Sequence, residues 1–406
     1  MRKIFYILFV ILLFSAPLFL RAQNSTASPY SRFGFGELND NVPGSFRAMG
    51  GVGTGMRDKR VINPSQPASF SVVDSTTFMF DLGMSAMWSN YGDATGNRNK
   101  ANGNLEYLTM QMPFFWKYIG FSVGVLPYSH VGYDITDSIK GVPHPYSITY
   151  SGNGGITQVY GGLSFNIMNW AAIGANVYYM FGTTSTQRIQ DMYSDASMYS
   201  FAEASTLRVS DVRFRYGVQL FHTFADKHTV VLGATFENKS KFNAKLTTVE
   251  VITSDTVPTA EYEYELPMMY SVGASYNFAN RLTIGADYTM TDWGNSMYKS
   301  NKGELRSRMK ISVGAEYCHN PYGKKYIERM PFRLGMNLSD SYIKSITAKD
   351  FSVSLGVGFP LRNVATVINT SLEYGHRGKS GILQENYLRL TINASISENW
   401  FFKRRL

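Results

Sequence analysis

Between Asn386 and Ser397 the chain alternates strictly. Asn386, Leu388, Leu390, Ile392, Ala394 and Ile396 fall on one face, and Tyr387, Arg389, Thr391, Asn393, Ser395 and Ser397 on the other. A period of two is that of a β-strand, whose successive side chains point to opposite sides. A dry face backed by an almost wholly polar one suits a strand set between lipid and water, because a sandwich strand buries its apolar face in protein and has no lipid belt. The pattern recurs where Val212, Phe214, Tyr216, Val218 and Leu220 alternate with Asp211, Arg213, Arg215, Gly217 and Gln219, so Arg213 and Arg215 are expected to face water. It recurs again where Phe78, Phe80, Leu82, Met84, Ala86 and Trp88 alternate with Thr77, Met79, Asp81, Gly83, Ser85 and Met87.

Read along the whole chain, fourteen such segments lie near residues 77–88, 104–112, 119–131, 146–165, 171–183, 205–221, 228–239, 262–278, 281–291, 304–317, 330–339, 350–359, 364–375 and 386–397. Short connections such as Pro113 to Tyr118, Asn166 to Trp170 and Phe278 to Asn280 alternate with longer polar ones near 132–145, 184–204 and 240–261. The expected fold is all-β: a 14-stranded antiparallel transmembrane β-barrel over residues 77–397. Short turns and both termini would face the periplasm of a Gram-negative cell, with long loops outside and membrane lipid around the wall. The final strand should then seal against the first. Phe114, Phe115, Trp116, Tyr118 and Trp170 at the short turns suit an interfacial aromatic belt. Beyond the first 22 residues there is no apolar run of ~20, which excludes a helical membrane protein.

The ends read differently. Arg2 and Lys3, the apolar run Ile4 to Leu20 and Ala22 before Gln23 match a secretory signal over residues 1–22. Residues 23–76 lack strong alternation and are rich in Gly and Pro. They are either a disordered leader or a plug inside the barrel, with Phe33, Phe35, Leu38, Phe46, Met49 and Ile62 to bury. Residues 398–406 form an aromatic and basic periplasmic tail in which Trp400, Phe401, Phe402, Lys403, Arg404 and Arg405 are candidates for binding a partner.

Composition narrows the function classes. The 36 Gly, 27 Tyr and 27 Phe suit a closely packed wall with aromatic girdles. Of 39 basic residues, Arg2, Lys3 and Arg21 leave with the signal, so 36 stand against 30 acidic ones, a net of +6. These charges form no basic stripe interleaved with aromatics, and no nucleic-acid partner is expected. Cys318 is alone and forms no intramolecular disulfide. His130, His144, His222, His228, His319 and His376 form no nucleophile motif or metal-ligand cluster, so the expectation is a protein that is not an enzyme, with no metal and no cofactor.

Arg47-Ala48-Met49-Gly50-Gly51, running into Asn63-Pro64 and Pro67-Ala68, resembles the Gly-rich hatch of the FadL/OmpP1 family of outer-membrane transporters of hydrophobic compounds. Leu266-Pro267, Gly273, Leu282, Gly285, Ala286, Asp287 and Trp293 resemble the same family, as does the strand count. Ser28-Pro29-Tyr30-Ser31-Arg32-Phe33-Gly34-Phe35-Gly36 and Trp400 to Arg405 resemble the ends of such barrels in the Bacteroidota. The resemblance implies passive uptake of a hydrophobic small molecule through the hatch and a lateral opening. Alternatively it implies a non-transporting subunit that joins other envelope proteins in the outer-membrane protein assembly complex or the type 9 secretion system. Phe33, Phe35, Phe46 and Met49 are then candidates to line a ligand site, with Asn63 and Pro64 fixing a turn. Pro127, which lacks an N–H for the ladder, either marks the lateral opening or ends pairing above the membrane. Asp287 is expected to pair with a wall arginine.

Overall fold

The computed structural model describes residues 26–93, 96–114, 118–140, 145–192, 201–250, 262–344, 349–361, 366–379 and 383–399. The segment expected to be a signal, residues 1–22, and Trp400, Phe401, Phe402, Lys403, Arg404 and Arg405 of the expected tail lie outside them, as do Phe115 and Trp116.

The wall consists of β1 (Thr77–Asp93), β2 (Gly96–Pro113), β3 (Ile119–Ile139), β4 (Tyr146–Met168), β5 (Ala171–Met192), β6 (Phe201–Phe224) and β7 (His228–Glu237). It continues with β8 (Met269–Phe278), β9 (Leu282–Thr291), β10 (Arg308–Tyr317), β11 (Phe332–Asp340), β12 (Lys349–Pro360), β13 (Val367–Lys379) and β14 (Leu383–Asn399). Each strand pairs antiparallel with its neighbours, and β14 closes on β1 from Thr77↔Asn399 to Gly92↔Gln384. Closure removes free edges, as a wall in lipid requires.

The two faces follow the alternation. Leu232, Phe236, Leu334, Met336, Leu338, Ile392 and Ile396 are exposed on the outside, while Asn393, Ser395, Ser352 and Ser354 are buried within. Phe114, Tyr118, Trp170, Phe224, Tyr317 and Phe332 lie exposed at the end that holds the short turns, as an aromatic girdle would. Several boundaries differ from the pattern. Strands β3, β5 and β6 run well past their apolar stretches, because a hydrogen-bonded ladder needs no lipid and continues with polar side chains. The segment expected at 262–278 starts only at Met269; ahead of it Tyr264–Leu266 pairs with Ser240–Phe242, and Pro267 between them has no N–H to donate.

Residues 26–76 lie inside the barrel, with short helices at Pro29–Arg32, Gly44–Arg47 and Pro67–Val72 and a short hatch strand, Glu37–Leu38. Phe46 and Met49 pack with Val42, Val52, Met56 and Val61 into a small core of the hatch's own.

Candidate functional site: the hatch and its seat

The hatch backbone rests directly on lumen-facing wall glycines. A methyl group at Gly335 would collide with Gly50 and Met49, one at Gly314 with the Met49 carbonyl, one at Gly233 with the Thr54 carbonyl and one at Gly120 with the Phe70 carbonyl. Only glycine permits so close an approach of two backbones.

Polar wall side chains then satisfy the hatch's backbone groups, which are buried from water. Gln111 Nε2 donates to the Phe70 carbonyl at 2.8 Å, Ser164 Oγ to Ala68 at 2.8 Å and Asn176 Nδ2 to Pro64 at 3.0 Å. Asp287 carries the densest contact. Its carboxylate accepts the N–H groups of Gly53 and Thr54, both at 2.6 Å, and of Gly55 at 3.2 Å. The expected arginine partner of Asp287 is thus replaced by a nest of hatch amides, which compensate a buried charge as a cation would. Asn63 fixes the loop from within, donating to the Gly53 carbonyl at 2.8 Å and accepting from Ser65 N–H at 3.2 Å.

Above this seat the lumen is charged. Glu37 meets Arg377 at 2.9 Å, Arg47 meets Glu106 at 2.9 Å, and Asp40 meets Arg308 at 2.9 Å and Lys310 at 2.8 Å, each pair joining hatch to wall. Arg213 and Arg215 face inward as the alternation requires, and both are paired with Glu237. Among the described residues, a cavity of about 90 Å³ is edged by Glu37, Glu106, Glu373, Arg377 and Arg389, one of about 130 Å³ by Asp40, Arg213, Arg215, Glu237 and Lys310, and one of about 260 Å³ by Arg32, Tyr133, Tyr150, Arg188, Leu207 and Tyr298. Polar spaces of this kind hold water; an apolar molecule there would displace it from charges that need it.

Burial pushes the Glu37 carboxyl up, but the Arg377 guanidinium, helped by Arg389, outweighs it and holds the group at about 2. A lowered folded-state value contributes stability that is complete above the carboxyl's ordinary range and is lost as pH falls through about 2. The hatch is accordingly expected to resist pepsin at about pH 4 and to become cleavable towards pH 2, measured by the appearance of fragments cut between residues 26 and 76.

The structure does not gather Phe33, Phe35, Phe46 and Met49 around one pocket. Phe33 is 37% exposed, and Phe46 and Met49 fill the hatch core. Phe35 is enclosed by loop aromatics, with ring centroids of Tyr298 at 5.2 Å, Phe242 at 5.4 Å and Trp293 at 5.7 Å. Tyr298 Oη donates to the Gly34 carbonyl at 2.9 Å and Tyr342 Oη to that of Phe33 at 3.1 Å, so the long loops clamp the top of the hatch. Of these loop aromatics only Trp293 stands out in the sequence, through the family resemblance, and nothing in their spacing says which turn of the hatch they meet.

Pro127 stands at a break in the wall. Among the described residues, β2 and β3 pair only from Pro113↔Gly120 to Leu108↔Val125, and the β3–β4 register slips between Pro127 and Ser129. The hatch strand takes part of the vacated edge, with Glu37 opposite His130 and Leu38 opposite Ser129. Asn39 N–H extends this pairing, donating to the Tyr128 carbonyl at 2.9 Å. Farther out the gap widens into a polar cleft of about 880 Å³ edged by Arg98, Lys100, Tyr133, Asp134 and Asp137.

Among solved structures, the Ralstonia pickettii toluene transporter TbuX superimposes with a TM-score of 0.57 at 15% identity, over 89% of this chain and 99% of that one. The Pseudomonas putida toluene transporter TodX gives 0.57 at 14% identity over 90% and 100%, and a Pseudomonas aeruginosa FadL homologue gives 0.56 at 14% over 88% and 98%. The fold is therefore that of the FadL-type outer-membrane β-barrel. No curated protein matches the sequence. A family model described as BamG matches residues 1–406.

Proposed function

The chain belongs to the BamG family, and from that membership we propose that it is a plugged, non-transporting barrel subunit of an outer-membrane protein assembly complex of the Bacteroidota type. On this reading it sits in the outer membrane with both termini and the short turns in the periplasm. The observation that carries it is the seated hatch: it lies on wall glycines, its top turn is clamped by loop aromatics, and the two cavities directly over its seat are small and edged by ion pairs. A carrier of apolar molecules needs a predominantly apolar pocket continuous with an exit.

A second reading, passive uptake of small hydrophobic molecules, is favoured by the parted wall beside Pro127 and by the fold shared with proteins described as toluene transporters. One preparation separates the two. Purified in native-like detergent and weighed as an intact assembly, the protein is expected to carry a second outer-membrane barrel with assembly function in fixed stoichiometry. Recovery as a lone barrel that retains a hydrophobic small molecule would overturn the subunit reading and favour uptake.

A further inference from the structure

Five of the six connections at the short-turn end take two to six residues each, whereas the sixth, from β10 to β11, takes fourteen, Cys318 to Pro331. It is a built structure. Asn320 N–H donates to the Glu328 carbonyl at 2.8 Å, Gly323 N–H to the Asn320 carbonyl at 2.9 Å, and residues Tyr326–Arg329 form a turn of 3-10 helix. Cys318, buried at its start, points its Sγ at the Glu328 and Arg329 carbonyls at 3.6 and 3.5 Å. A connection this long and ordered is not needed to join two neighbouring strands.

Its tip presents what a soluble surface normally avoids. Tyr322 is 81% exposed, Ile327 64% and Tyr326 46%, with Lys324 and Lys325 between them also exposed. Arg329 lies over the Tyr326 ring at 5.4 Å. The one acidic side chain of the segment, Glu328, is folded back against Gly323. Tyrosine and arginine around an apolar residue are the composition of an interface hot spot, and a preordered loop loses little entropy on binding.

The direction of the loop distinguishes a protein from the membrane. Its two ends continue the wall ladders, the Gly358 N–H donating to the Pro331 carbonyl at 2.9 Å and the Cys318 N–H to the Arg281 carbonyl at 2.7 Å. Cys318 follows the outward-facing Tyr317 and is buried, and the Glu328 and Arg329 carbonyls lie at its Sγ, so the 3-10 turn is held on the lumen side of the wall and not along the lipid-facing aromatics.

We propose that Cys318–Pro331 is a docking surface for a soluble periplasmic protein segment that sets acidic residues around an apolar contact. The acidic character follows from Lys324, Lys325 and Arg329 standing around Tyr322, Tyr326 and Ile327. The inference rests on the subunit reading and its periplasmic orientation.

The test places photoreactive benzoylphenylalanine at Tyr322 or Ile327 in the full-length protein in living cells, with Ala279 in a neighbouring turn as control. The expected result is one periplasmic adduct from Tyr322 and Ile327 but not from Ala279, with the linkage mapped by mass spectrometry to an acidic peptide. Charge reversal by Lys324→Glu with Lys325→Glu should lower the adduct yield by about tenfold or more. Adducts with lipid, a yield unmoved by charge reversal, or silence at Tyr322 while the barrel still co-purifies with its companions would overturn the docking surface alone. Silence together with recovery of a lone barrel would overturn both this inference and the subunit reading.

Discussion

Valine at both Gly314 and Gly335 is expected to expel the hatch while the barrel stays closed. The two glycines are direct partners across the β10–β11 ladder, so both added side chains would enter the lumen at one point. There they would meet the Met49 carbonyl and the Gly50 backbone. The hatch has little freedom to retreat, because the Gly50 N–H is held by Ser354 Oγ at 3.0 Å and Gly50 itself has a φ of 70°. Overpacking of this kind costs roughly 1–3 kcal/mol per site. Two sites together, at about 2–6 kcal/mol, would raise the population with a displaced hatch by roughly one to four orders of magnitude, since ~1.4 kcal/mol is a factor of ten. The outer face is untouched, and valine favours strands, so the wall itself should survive. Heat-modifiable migration on gels should persist while protease cuts appear between residues 26 and 76 and ion conductance rises in planar bilayers. A hatch still protected in a folded double variant would show that these glycines do not form its seat.

Removing the carboxylate by Asp287→Ala is expected to loosen the same element from the other side. The N–H groups of Gly53, Thr54 and Gly55 would lose their shared acceptor in a place where water does not readily replace it. The three bonds share one buried carboxylate and are not additive, and removing one partner of a buried charged contact costs roughly 3–5 kcal/mol as a whole. Asp287→Asn keeps one acceptor oxygen but turns an NH₂ towards the donors, and should fall between wild type and alanine. Hydrogen exchange read at amides 53–55 should rank the three proteins in that order. Equal protection in wild type and alanine would mean that the nest does not anchor the hatch.

Both expectations act on the hatch rather than on the wall, and this separation reflects how the chain divides its work. The lipid-facing residues decide insertion, and the lumen face decides what the barrel contains. Glycines among them admit a backbone, carboxylates and amides tie it down, and the guanidinium groups of Arg213, Arg215 and Arg377 find carboxylate partners there.

Period-two alternation by itself determined fourteen strands, their order, their two faces and the meeting of the last strand with the first, because each strand in lipid must show its polarity locally. Asn63 makes its turn contact locally, accepting the Ser65 N–H, which is the kind of chemistry a sequence can show. The path of the hatch was not legible, since its contacts join residues far apart in sequence: Gly53 to Asp287, Gly50 to Ser354 and Phe35 to Trp293. Nor was the break at Pro127 decidable, because a missing N–H marks a place where pairing can end without saying whether the neighbouring strand departs. Only the tertiary structure decided that the hatch strand takes part of that edge, that the lumen is charged above its plug, and that Cys318 to Pro331 is ordered with Tyr322 and Ile327 uncovered. Those outcomes depend on which distant backbones come within van der Waals reach, a quantity that alternation along a single chain does not encode.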